Sequence, residues 1–186
     1  MISPDVIEAC LAGTASAQQR LYEQSVAYAN AVASRYVPTF EDRRDVLQEG
    51  YAQVFLHLDQ FDAARGTFKG WLRRVVINAA LMHLRRREAR PVMAKAEPTE
   101  LDYAAQATDF DPGQLSRRDI DELLEAMPPG YRLVFMLSVI DGFSHAEIAA
   151  QLDITADTSR SQLLRAKRWI QRNLATSPKL KQYGLT

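Results

Sequence analysis

From Arg90 to Pro112 the chain carries three prolines (Pro91, Pro98, Pro112), five acids (Glu97, Glu100, Asp102, Asp109, Asp111) and no helical period of useful length. Proline lacks a backbone donor and clashes with the preceding turn, so no helix runs through such a segment. The 186-residue chain is therefore cut in two. A module of roughly 80 residues buries only about 60% of its unfolded surface, so local contacts must carry much of its stability, which favours helices. Eight Gly and eight Pro are too few for a turn-rich β sandwich. On either side of the break every periodic segment reads as helix, with no strand pattern and no internal repeat. The expected fold class is all-α: two small helical domains, residues 1–90 and 113–186, joined by a flexible acidic linker at 91–112.

The first domain is expected to hold a helix from Ser3, with Pro4 at its first position, a break near Gly13, and a second stretch from Ser16 to Tyr36 that Pro38 stops. A helix from Glu41 to Leu58 follows, with Val46, Tyr51, Val54, Phe55 and Leu58 at three- and four-residue spacing. Phe61 to Thr67 reads as a loop, and Phe68 to Glu88 as a long helix. In the second domain the expected helices are Gln114–Met127, Pro129–Asp141, Ser144–Leu152 and Thr155–Ala175.

Net charge is zero in total but uneven in place. Glu41 to Asp62 is mostly acidic. Arg65 to Lys95 is basic except for Glu88, and from Arg160 onward every charged residue is basic. Alternating blocks suit a protein that meets several partners, at least one of them polyanionic. The single Cys10 permits no internal disulfide, which fits a reducing compartment. No apolar run approaches the roughly 20 residues of a membrane span, and the N-terminus lacks a signal pattern. These features lead us to expect a soluble, cytoplasmic protein with no membrane insertion.

Ser144-His145-Ala146-Glu147 is a capping box, in which Ser144 and Glu147 satisfy reciprocal backbone donors. Ile148, Ala149 and Leu152 give the short helix behind it an apolar face. Asp153-Ile154-Thr155 makes a tight turn, with Ile154 as a buried plug and Thr155 as the next N-cap. The helix that follows places Ser159, Leu163, Ala166, Ile170 and Leu174 on one side and Ser161, Arg165, Arg168 and Arg172 on the other. A short capped helix, a turn and a longer helix with a basic outer face form a helix-turn-helix, whose second helix fits a major groove. Arg165 suits bidentate contact with a guanine edge, and the other arginines suit phosphates. Taken alone, the arginine stripe also fits a plain solvated face.

The Phe68–Glu88 helix carries an apolar stripe through Phe68, Leu72, Val75, Ala79 and Met82. Beside it runs a second stripe, Trp71, Arg74, Asn78, Leu81 and Arg85. Aromatic and basic residues together suit single-stranded nucleic acid, where rings stack and arginines neutralise phosphate. Trp71 reads equally as a core residue. His57, His83 and His145 are scattered without metal-ligand spacing, in keeping with surface or capping roles.

Several segments resemble the extracytoplasmic-function (group IV) sigma factors of the sigma-70 family. Leu21-Tyr22-Glu23, Asp45 through Tyr51 to Phe61-Asp62, Gly66 through Leu72, and Asn78 through Arg87 are similar to that family's second region. Met127 through Arg132, Gly142-Phe143-Ser144, Glu147-Ile148-Ala149 and Arg165-Ala166-Lys167 are similar to its fourth region. The resemblance implies a promoter-specificity subunit for core RNA polymerase, with regions 2 and 4 in residues 1–90 and 113–186. It implies polymerase docking through Asp45, Gln48 and Glu49. It also implies that the loop carrying Asp62, Arg65 and Thr67 captures a flipped −10 base, and that Trp71, Arg74, Asn78 and Arg85 hold the melted strand. The −35 duplex would be read through Arg160, Ser161, Leu164, Arg165 and Arg168. An anti-sigma partner is implied as well. This chain departs from the family pattern with Asp153 in the turn where many relatives have Gly, Ser159 at a usually apolar position, and Gln162 at a usually basic one.

Melting DNA costs a few kilocalories per mole per unstacked step, which a base pocket and a basic channel can offset. That task needs no metal, cofactor or nucleotide hydrolysis. The sequence carries no Walker loop, no clustered metal ligands and no nucleophile–base signature, so no enzyme activity and no cofactor are expected. The residues also fit an autonomous helix-turn-helix regulator whose front domain senses a signal or dimerises.

Overall fold

The computed structural model describes residues 2–87 and 117–176, with side chains described over 2–87 and 122–173. It divides into two compact units, Met1–Ala89 and Arg90–Thr186. Every described element is helical. The expected linker at 91–112 lies outside the described residues, as do the helix ends expected at Glu88 and Gln114.

In the first unit, α1 (Pro4–Leu11) begins with proline at its first turn, where the missing N–H would be unpaired in any case. Gly13 ends it at φ 78°. The Thr14 N–H reaches the Ala9 carbonyl at 3.0 Å and the Gly13 N–H reaches that of Cys10 at 3.0 Å, a pairing that satisfies the last carbonyls of the helix. α2 (Ala15–Ala33) then buries Leu21, Ala29, Val32 and Ala33. α3 (Phe40–Leu56) is capped by Thr39, whose hydroxyl accepts the Asp42 N–H at 3.3 Å. Its expected last turn tightens instead into a 3-10 turn at Leu58–Gln60, which drops Leu58 into the core. α4 (Phe68–Arg87) packs against both α2 and α3.

That double contact corrects the expected apolar stripe of α4. The stripe Phe68, Leu72, Val75, Ala79, Met82 assumes one neighbour. With two, the buried arc widens to take in Val76, Ile77, Ala80 and Leu81. Met82 is left 44% exposed and Val75 only half-buried. Leu81, placed by periodicity on the nucleic-acid stripe, is a core residue at 2% exposure. Gly50 of α3 faces Ala79 and Val76 of α4, and a Cβ there would lie 3.7 Å from the Ala79 methyl. Small residues on both sides let the two backbones approach closely.

Polar contacts fix how these helices meet. The Ser25 hydroxyl bonds the Leu21 carbonyl and the Tyr51 hydroxyl, each at 2.6 Å, joining α2 to α3 inside the core. Burial pushes the Tyr51 phenol above its ordinary value. At the other end, Asp42 accepts from the Thr39 hydroxyl, meets His83 Nε2 at 3.1 Å and pairs with Arg87. The Thr39 hydrogen bond first, then His83 and Arg87, hold the Asp42 carboxyl below its ordinary 3.8. A carboxyl depressed in the folded state adds stability above its unfolded pKa and loses it as pH falls through the folded value. Asp42→Asn is therefore expected to flatten the acid limb of the first unit's stability below about pH 4. Melting curves taken between pH 3 and 6 check this, and an unchanged acid limb would count against the brace.

The second unit holds α5 (Arg117–Ala126), α6 (Pro129–Phe135), a π-helical turn (Met136–Ile140), α7 (His145–Leu152) and α8 (Ala156–Thr176). A single helix was expected over 129–141. The wide turn instead carries Asp141 N–H back to the Met136 carbonyl at 2.9 Å. Val134, Phe135, Met136 and Leu137 are all buried in succession, more than one face of a regular α-helix presents. The segment manages this because α8 covers α6 while α7 covers the π turn. Leu123, Met127, Phe135, Ala166 and Ile170 form the centre of this core. Among the described residues no helix is long and apolar enough to cross a membrane.

Candidate nucleic-acid interface

The capping box forms as expected. Ser144 Oγ accepts the Glu147 N–H at 3.2 Å, and Glu147 returns a carboxylate oxygen to the Ser144 N–H at 2.7 Å. This starts α7 sharply, and Asp153 stops it in a left-handed conformation at φ 54°, ψ 48°. Asp is among the few non-glycine residues that visit this region readily. Thr155 caps α8 by accepting the Thr158 N–H at 3.0 Å. Ile154, expected as a buried plug, is only half-buried.

α8 turns Ser159, Gln162, Ala166 and Ile170 inward. Arg160 and Ser161 are exposed, and Leu164, Arg165 and Arg168 are half-exposed, so the five residues expected to meet the −35 duplex share the outer arc. Arg160 is held by Asp157 one turn back, at 2.6 Å. Helical spacing places Arg165 at one edge of this arc, with Leu164 and Arg168 nearer its middle. A long cation with its stem on the helix and its head in water suits a base edge or a phosphate.

In the first unit, the loop between the 3-10 turn and α4 is braced from within. Asp62 Oδ1 accepts the Ala64 N–H at 2.9 Å, and its Oδ2 meets Arg65 Nε at 3.4 Å. Thr67 caps α4 through the Gly70 N–H at 3.1 Å. Beneath the loop, Phe61, Phe68 and Trp71 form a triangle of rings with centroids 5.6 to 5.9 Å apart. Such tilted and edge-on pairs favour defined geometry. Trp71 is thus half-buried, partly core and partly wall of the loop, a double role that helical spacing could not reveal. Arg74 and Arg85 are exposed on the same helix, while Asn78 is half-buried with its Oδ1 meeting no donor.

A third surface lies on α3. Asp45 and Gln48 are exposed. Glu49 instead makes a two-pronged ion pair with Arg86 of α4 at 2.8 and 3.0 Å. Beside them Tyr22, Arg44, Leu47, Gln48, Tyr51, Ala52 and Phe55 line an open groove of about 400 Å³. Sequence reading missed the Glu49–Arg86 and Asp42–His83 pairs because their partners are 37 and 41 residues apart. Periodicity carries no signal at such separations.

Comparison with known proteins follows the same division. The model "Sigma-70 region 2" matches residues 21–90, and "Sigma-70, region 4" matches residues 117–170. The ECF RNA polymerase sigma factor SigE of Mycolicibacterium smegmatis is 33% identical over 139 residues, covering 72% of this chain and 52% of that protein. The chain thus spans about half the length of that relative. The ECF RNA polymerase sigma-E factor of Escherichia coli is 30% identical over 161 residues, covering 78% of each. A structure of the sigma factor RpoE in complex with the anti-sigma factor NepR, from Bartonella quintana, is 19% identical, covering 86% of this chain and 97% of that one, with a TM-score of 0.49.

Proposed function

Because this chain belongs to the extracytoplasmic-function sigma factors of the sigma-70 family, we propose that it directs core RNA polymerase to promoters by binding alone, in the cytoplasm, with no chemistry of its own. Residues 1–90 dock on the polymerase and hold the melted −10 strand. Residues 113–186 read the −35 duplex, and 91–112 joins them. The observation that carries this reading is α8: a capped turn behind it, a buried inner face, and Arg160, Ser161, Leu164, Arg165 and Arg168 along its outer arc.

In this reading the Asp62–Thr67 loop receives one flipped base. The ring triangle of Phe61, Phe68 and Trp71 keeps that loop from collapsing when empty. Arg74, Asn78 and Arg85 follow the strand along α4. Asp45 and Gln48 meet the polymerase directly, while Glu49 acts through Arg86 by setting the angle of α3 on α4. The groove beside them serves the same partner, and an anti-sigma factor would inhibit by covering it.

An exposed charge at a protein interface acts chiefly on association rate and salt dependence. Asp45→Lys is therefore expected to weaken binding to core polymerase at low salt, with the difference shrinking as salt rises. Titration of core polymerase with labelled chain, at several ionic strengths, measures this. An affinity unaffected at every ionic strength would remove Asp45 from the docking face.

The function itself is tested by mobility shift on promoter duplex with and without core polymerase. A chain of zero net charge gains little from counterion release overall, so the free protein is expected to bind duplex weakly. A specific shift should form only with polymerase present. Tight, specific binding by the free chain at moderate salt would favour an autonomous regulator instead.

A further inference from the structure

We infer that His145 and Ser159 form a polar latch inside the helix-turn-helix that sets the rotational register of α8, and with it the discrimination of the −35 reading face. The inference rests on the sigma-factor reading above and concerns residues that the resemblance does not assign. His145 Nδ1 and Ser159 Oγ lie 2.9 Å apart, a hydrogen bond between the first turn of α7 and the first turn of α8. Ser159 is completely buried. Its hydroxyl therefore has no water to turn to, and the imidazole is its partner across the helix pair.

The chemistry around the bond makes it decisive for register. α8 meets its neighbours through Ser159, Gln162, Ala166 and Ile170, with Leu163 and Trp169 partly buried against the same core. Ser159, in the first turn, is the smallest polar member of this face, while the larger Leu163, Trp169 and Ile170 lie further along the helix. Apolar packing therefore anchors the later turns of α8, and the His145–Ser159 bond is a side-chain hydrogen bond that holds its first turn to α7. Gln162 adds no competing direction, since it is 4% exposed and its Oε1 meets no donor. The His145–Ser159 bond is directional and weakens steeply when misaligned. Ser159 lies on the inner face of α8, opposite the arc that carries Ser161, Leu164 and Arg165.

The lever is short and the geometry demanding. With a helix radius of about 5–6 Å including side chains, a 20° turn of α8 carries an outer side chain roughly 2 Å sideways. A bidentate arginine–guanine contact tolerates far less, whereas a phosphate contact is forgiving. Loss of the latch should therefore blunt base discrimination while leaving sequence-independent affinity in place. A merely structural contact would act otherwise, lowering stability and both kinds of binding together. His145 and Ser159 are accordingly positioning residues, and neither needs to touch DNA.

The test uses the full chain assembled with core polymerase and a panel of −35 duplexes selected with the wild-type protein. Ser159→Ala removes the hydroxyl, and His145→Phe keeps the ring shape without its nitrogens. His145→Asn restores a polar atom near the position of Nδ1. Each single loss is expected to reduce −35 discrimination about tenfold, within the range of one good base contact. The double variant should be no worse than either single, and His145→Asn should recover most of the loss. Affinity for unrelated duplex, melting temperature, and initiation from templates already opened around −10 should stay near wild type. Discrimination unchanged in both single variants would overturn the latch, as would a loss that merely tracks melting temperature. If the wild-type holoenzyme itself ignored the −35 sequence, the sigma-factor reading and the latch would fall together.

Discussion

Arg165→Ala is expected to lower binding to the −35 duplex by about 1–3 kcal/mol and to flatten preference at one base pair. Arg165 is half-exposed on the outer side of α8, which it shares with Ser161 and Arg168. A planar fork there can grip both acceptors of one guanine, which neither serine nor a solvated lysine can imitate. Truncation leaves those acceptors unpaired in a closed groove, so the loss should be specific to one position rather than spread along the site. If Arg165 met only phosphate, all −35 variants would weaken equally. Asn78→Ala, in the other unit, should do the converse: near-normal −35 preference with poorer capture of the melted strand. Permanganate footprinting on duplex and pre-melted templates separates the two. Equal losses for both variants on both templates would refute the division of labour.

Ile77→Ala carries the largest expected effect on stability. Ile77 is completely buried in α4, which packs against both α2 and α3. Truncating such a side chain removes its transfer energy and leaves a cavity, costing about 2–5 kcal/mol. For a unit of this size each kilocalorie shifts the midpoint by about 4–8 °C, so the first unit should melt about 8 °C lower or more. Met82→Ala, on the same helix but 44% exposed, should be nearly neutral. The pair decides between the observed buried arc and the stripe suggested by periodicity, which would place Met82 inside. Thermal unfolding of both variants measures it, and a larger loss for Met82→Ala would contradict the packing described.

The contrast between these two residues shows what the sequence made legible. Features closed within a few residues were readable: proline at the start of α1, glycine at its end, the Ser144–Glu147 box, the left-handed Asp153 and the Thr155 cap. Each depends on local backbone chemistry that the side chain itself dictates. The outer face of α8 was readable for a related reason, since one helix with one buried side leaves a predictable opposite side. α4 was misread because two neighbours bury it, and periodicity assumes one. The tightening of α3 at Leu58 and the π turn after Phe135 depend on what covers those segments, which no local pattern encodes. At the candidate sites, residue types were legible but not their partners. Glu49 reads as a docking acid, and its ion pair with Arg86 carries no signal in the local pattern. Ser159 reads as a polar departure at a usually apolar position, and its partner His145 lies 14 residues away.

Those partners matter to the account because they separate residues that touch a ligand from residues that hold others in place. Asp45 and Gln48 stand exposed, whereas Glu49 is paired with Arg86 across α3 and α4. Trp71 is half-buried, closing the ring triangle with Phe61 and Phe68.

The central claim is that this chain confers promoter-specific initiation on a polymerase that lacks it. Run-off transcription with purified core polymerase, on templates selected by the assembled complex, tests it most directly. The account predicts a discrete transcript only when the chain is added, lost when the −35 or −10 element is replaced. Binding of those same templates by the free chain, with no transcript in the presence of core polymerase, would contradict it.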